Sequence, residues 1–188
     1  MQERILAAAV ELTTQAGWAR VTMPALAARV GVSRQTIYNE IGSRPRLAEL
    51  MIMQQLQGFL SAVDRAFADH RPDAVAAIAA ATKSVMELAR SHGLLRAIVG
   101  AEHGANTELL PLLTSRGAGV QAAATAVLAA QLATCELEVT DVEPAAGVIV
   151  RLVLSNVTQP CGSDAQVVEQ VRWVAGRLLT SQGDCAKA

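Results

Sequence analysis

Residues 23–42 constrain this chain more than any other stretch. Met23–Val30 and Arg34–Glu40 are each about two helical turns long, and only Gly31-Val32-Ser33 separates them. Thr22 and Ser33 stand where helix N-caps are wanted. Gly31 accepts the positive φ that a tight turn demands. Two helices joined so closely must cross steeply, which needs a small residue where they touch and an apolar set on the inner side. Ala27 supplies the first; Leu26, Val30, Val32 and Ile37 supply the second. The outer face of the second helix is then Ser33, Arg34, Gln35, Thr36 and Asn39, all able to hydrogen-bond base edges or phosphates. A plain helical hairpin is the alternative. Spacing, turn and polar face together favour a helix-turn-helix.

The same helical spacing extends to both sides. Ile5, Ala9, Leu12 and Ala16 share one face of a helix over about residues 2–16, with Gly17 at its left-handed C-terminal cap and Trp18 folding back. Ser43 caps, and Pro45 opens, a long helix to about residue 68 striped by Leu56, Leu60, Val63 and Phe67. Pro72 and Asp73 start the next, to about Arg90, and a short apolar helix follows over 94–102. An Ala-rich helix runs from near Pro111 to about Thr134. Capping boxes at Thr140/Glu143 and Ser163/Gln166 begin helices reaching about Thr158 and Ser181. The expectation is an all-α chain of about nine helices with short antiparallel connections and no strand.

Charge divides along the chain. Residues 1–50 carry six arginines against four glutamates, whereas the whole chain is at −1. A basic head on an acidic body suits a polyanion at one end. Cys135, Cys161 and Cys185 lack metal-ligand spacing and read as reduced thiols. No secretory leader opens the chain, so the cytoplasm is expected. Residues 117–135 carry no charge, but Ala, Thr and Gln dilute them, which favours a buried helix over a membrane span. His70, His92 and His103 are scattered and no Gly-rich phosphate loop exists, so no enzyme activity, cofactor or metal is expected.

Ile5-Leu6-Ala7-Ala8-Ala9, Gly17-Trp18, Val21-Thr22, Leu26 through Ser33 and Thr36-Ile37-Tyr38 together resemble the TetR family of transcriptional repressors. The resemblance covers Arg4 to Leu50, including the helices flanking the motif. It implies a helix-turn-helix DNA-binding domain over residues 1–46 and a helical effector-binding and dimerisation domain over 47–188. It further implies that Tyr38, Arg44 and Thr22 hold phosphates, and that Arg34, Gln35 and Thr36 face base edges. Arg34 is long enough to serve either role. Ile41 stands where the family usually has Phe. Glu40 would repel phosphates unless turned toward Arg44 or Arg46, and minor-groove contacts by the basic arm common before the first helix are not expected. The wording Tyr38 to Ser43 looks like family members encoded near alkane- or lipid-handling genes.

Pattern alone speaks for the rest. Val167, Val171, Val174 and Leu178 on the last helix, with Val148, Leu152 and Ser155 on the one before, form two apolar seams suited to a four-helix dimer interface; the alternative is that both face the chain's own core. Phe59, Val63, Met86, Leu95, Val99 and Leu113 are candidate walls of a ligand pocket, with His103, beside Glu102 and Asn106, as a polar anchor. So apolar a set points to a hydrophobic, fatty-acid-like effector. The partners expected are a double-stranded DNA operator, this effector and a second copy of the chain, with no membrane. The rival readings are a helical small-molecule-binding protein without DNA binding, or a helical enzyme.

Overall fold

The computed structural model describes residues 1–99, Leu109, 118–137 and 141–180. Among them are nine α-helices, one 3-10 turn (Trp18–Arg20) and no strand. The helices are α1 (Gln2–Ala16), α2 (Met23–Val30), α3 (Arg34–Ile41), α4 (Arg44–His70), α5 (Ala74–Ser91), α6 (Gly93–Val99), α7 (Ala118–Leu132), α8 (Val142–Thr158) and α9 (Asp164–Leu179).

Caps explain most of these boundaries. The Thr22 hydroxyl accepts from Ala25 N at 3.2 Å and Ser33 from Thr36 N at 3.1 Å, each satisfying a first-turn N–H that has no partner within the helix. Ser163 and Gln166 make the reciprocal capping box. Two expectations need correction. Thr140 lies outside the described residues, and α8 starts behind Asp141, whose side chain makes no cap bond. Glu143, in the first turn, still suits the positive end of the helix dipole. Gly17 has φ 80 and ψ 157, not the left-handed helical values, because the chain leaves α1 directly into the 3-10 turn.

The described residues fall into two compact units, Met1–Gln57 with Ala89–Gly117 and Gly58–Leu88 with Ala118–Ala188. In the first, which we call the head, Ile5, Ala9, Trp18, Val21, Leu26, Ile37, Leu47 and Met51 are buried at 2% exposure or less. α6 packs along α1, and a Cβ placed on Gly93 would lie 3.1 Å from Thr14 Cγ2, so glycine permits the close approach.

The second unit, the body, is built on Phe67, Ile78, Met86, Leu132, Ile149, Val167, Val171, Ala175 and Leu179. This corrects the last seam. Val167 and Val171 are 2% and 0% exposed within a single chain, so they face its own core and are not open to a partner. α8 packs against both α7 and α9. Among the described residues no helix is long and apolar enough to cross a membrane.

Candidate nucleic-acid interface

Gly31 ends α2 in the left-handed region, at φ 75 and ψ 39, and its N–H and that of Val32 both donate to the Ala27 carbonyl at 3.0 Å. This closes α2 and redirects the chain within three residues, so that α3 crosses it. Leu26, Ala27 and Ile37 seal the crossing at 0%, 5% and 0% exposure. Ile41, 4% exposed, adds the last turn of α3 to the same seal, so the aliphatic side chain fills its place. Arg4 reaches from α1 to the Val30 carbonyl at 3.1 Å, pinning the C-terminal end of α2.

At about 100° per residue, the side of α3 opposite Ile37 and Ile41 carries Gln35 and Asn39. Both are exposed, and Gln35 Nε2 donates to Asn39 Oδ1 at 2.9 Å. Thr36 and Tyr38 flank them, Tyr38 half exposed. Ser33 Oγ and Thr36 Oγ1 are 2.9 Å apart. Arg34 lies nearer the sealed side, at the edge of the polar face.

Four of the six arginines of residues 1–50 have partners inside the chain. Arg4 holds Val30, Arg29 pairs with Glu11 at 2.7 Å and Arg46 with Glu49 at 3.0 Å. Arg44 Nη2 donates to the Trp18 carbonyl at 2.9 Å, and its guanidinium lies 4.7 Å from the centroid of the Trp18 ring. Arg44 is therefore a half-buried clamp joining the start of α4 to the 3-10 turn, where the family resemblance implied a phosphate contact. Arg20 and Arg34 are exposed and make no hydrogen bond or ion pair among the described residues, which leaves them available to phosphates. Sequence reasoning passed over Arg20. Its signal was its position two residues before the Thr22 cap. Glu40 is exposed and pairs with neither Arg44 nor Arg46.

The expected ligand-binding residues fall in both units or outside the described residues. Phe59 and Val63 are half-buried in the body, where Met86 is part of the core. Leu95 is half-buried in the head, on α6. The side chain of Val99 and the residues His103 and Leu113 lie outside the described residues. On the seam helices, Val148 is 48% exposed and Ser155 is exposed, while Leu152, Val174 and Leu178 are half-buried. Trp173 is 64% exposed beneath the Arg177 guanidinium at 5.7 Å. Among the described residues no group of three His, Cys, Asp or Glu side chains could hold a metal.

Residues 5–49 match the family described as bacterial regulatory proteins, tetR family, and residues 73–177 match the bacterial tetracyclin repressor C-terminal domain. The chain is 27% identical over 182 residues to the HTH-type transcriptional regulator AlkX of Mycobacterium tuberculosis, covering 96% of this chain and 83% of that one. Among solved structures it resembles the TetR family repressor AlkX of a Dietzia species, implicated in biodegradation of n-alkanes. There the TM-score is 0.76 at 24% identity over 94% of each chain. It also resembles Thermus thermophilus FadR in complex with lauroyl-CoA, with TM-score 0.65 at 20% identity over 100% of each chain.

Proposed function

The chain belongs to the TetR family and is a ligand-responsive transcriptional regulator; on that premise we propose that it is a cytoplasmic homodimeric repressor of a near-palindromic operator. A hydrophobic, fatty-acid-like effector releases it from DNA. The observation that carries the DNA-binding part is the polar face of α3, which stands opposite a fully buried apolar seal. A helix shaped in this way can lay its outer face on base edges in a major groove. Thr22, Ser33, Tyr38, Arg20 and Arg34 then hold phosphates around the groove, and Gln35 and Thr36 meet the bases, with Asn39 beside Gln35 on the same face.

Dimerisation is proposed through the outer sides of α8 and α9, where Val148, Leu152, Ser155, Trp173, Val174 and Leu178 remain open or half-open. An exposed tryptophan is the kind of anchor that interfaces use. With two heads per dimer, the two recognition helices reach successive major grooves, about one helical turn of DNA apart.

The effector reading draws on the apolar character of Phe59, Val63 and Met86 in the body. It is supported by the lauroyl-CoA complex of the FadR relative and the n-alkane link of the AlkX relative. An effector releases DNA only if it binds the DNA-incompetent state more tightly. The test is a gel shift of the purified protein with the upstream region of its own gene, at several salt concentrations. A salt-sensitive shift that medium-chain acyl compounds reverse is expected. A protein that binds no DNA at low salt overturns the repressor reading, and release by small polar metabolites alone overturns the effector class.

A further inference from the structure

Gln35 and Asn39 are more than two polar residues on one face. They sit one helical turn apart, on the side of α3 opposite Ile37 and Ile41, and the 2.9 Å bond from Gln35 Nε2 to Asn39 Oδ1 joins their amides. A free glutamine amide can rotate and offer either its oxygen or its NH2 group to a given base atom. Turning this one over alone would bring its oxygen against the Asn39 oxygen and break the bond, which returns only if the Asn39 amide turns with it. Held as it is, it spends one Nε2–H on Asn39 and keeps Oε1 and its second Nε2–H. That remaining edge is one acceptor next to one donor.

We infer that Asn39 is a positioning residue that locks Gln35 in the one orientation that reads adenine. Adenine shows the major groove an N6 donor beside an N7 acceptor, the complement of the edge Gln35 keeps. Guanine shows two acceptors, O6 and N7, and one of them would meet Oε1. The pair thus selects an A·T base pair at one place in each half-site. Asn39 acts on that preference through Gln35, without touching that base. The inference rests on the reading of α3 as a recognition helix, and it adds which base is read and how the reader is held.

The experiment is a binding selection on randomised half-sites with the full-length protein and four variants: Gln35→Ala, Asn39→Ala, the double substitution, and Asn39→Asp. All four changes are on exposed positions, so folding is kept and is checked by circular dichroism. The parent is expected to prefer adenine at one base pair of each half-site by about 5- to 150-fold, the range of one good two-pronged contact. Gln35→Ala and Asn39→Ala should each erase that preference, and the double variant should lose no more than either. Asn39→Asp keeps the accepting oxygen, so adenine preference should persist while its charge weakens binding to every sequence. If Asn39→Ala retains the preference that Gln35→Ala loses, Gln35 reads alone and the inference fails. Collapse at a guanine, or uniform loss on all sequences, overturns it too. A parent protein with no sequence preference at all would instead remove the recognition helix, and with it the repressor reading.

Discussion

Removing the Arg44 guanidinium should destabilise the head before it weakens a grip on DNA. Its hydrogen bond to the Trp18 carbonyl joins a charged donor to a half-buried acceptor, a class worth about 1.5–3 kcal/mol. The guanidinium over the indole ring adds about 0.5–2 kcal/mol. One side chain in one geometry makes both contacts, so the two figures overlap, and about 2–3 kcal/mol is expected for Arg44→Ala. Arg44→Lys keeps the charge but neither the planar stack nor the fork, and should lose about half of that. The chain's two tryptophans make the assay local. Trp18 is 2% exposed in the head, and Trp173 is 64% exposed in the body. In a Trp173→Phe background, fluorescence in a urea titration therefore reports the surroundings of Trp18. Binding to the operator, measured under conditions where the variant is folded, should keep the parental dependence on salt. The reasoning is refuted if Arg44→Ala leaves the Trp18 transition within about 0.5 kcal/mol of the parent while the log affinity versus log salt slope falls by about 1, the mark of one lost phosphate contact.

Three further outcomes are expected. Glu40→Gln removes an exposed carboxylate without an ion-pair partner from the last turn of α3, so affinity for all DNA sequences should rise a few-fold at low salt; the gain should shrink as salt screens it, and an unchanged affinity at low salt would place Glu40 away from the backbone. Val171→Asp buries a charge in the body core and should leave an unfolded or aggregated protein, whereas Val148→Glu should leave folded monomers that lose the operator; sedimentation with circular dichroism separates the two, and a dimeric Val148→Glu protein would exclude that face. Burial holds the His92 imidazole below its ordinary pKa of 6.5, so the unfolded chain takes up that proton more readily; stability is full above about pH 6.5 and falls as pH drops below it. His92→Gln should make melting temperature less sensitive to acid between about pH 7 and 5, and an identical pH dependence would exclude His92 as a contributor.

Local chemistry made the head legible. Caps, turn glycine and apolar spacing act within a few residues, so Thr22, Ala27, Gly31, Ser33 and Ile37 could be assigned from their neighbours alone. The seam on α9 was not legible in the same way. Val167, Val171, Val174 and Leu178 share a 4-3-4 spacing, and that spacing says only that one side of the helix is apolar. It does not say whether the neighbour is the same chain or another. Val167 and Val171 turned out to belong to the chain's own core, and the exposed Trp173 and Val148 carry the open surface instead.

The arginines draw the line most clearly. From the sequence, residues 1–50 have six positive charges and a polar recognition face, and both follow from residue type and helical period. Whether a given guanidinium is free depends on what lies within hydrogen-bond reach, and the partners are far along the chain. Arg4 meets Val30 and Arg44 meets Trp18, each across 26 residues, and Arg29 meets Glu11 across 18. Only the packing of α1, the 3-10 turn and α4 brings these groups together. Periodicity is a local property and determined the helices and their faces; pairing is a property of the packed chain and left Arg20 and Arg34 as the exposed cations without a hydrogen bond or ion pair among the six arginines of residues 1–50.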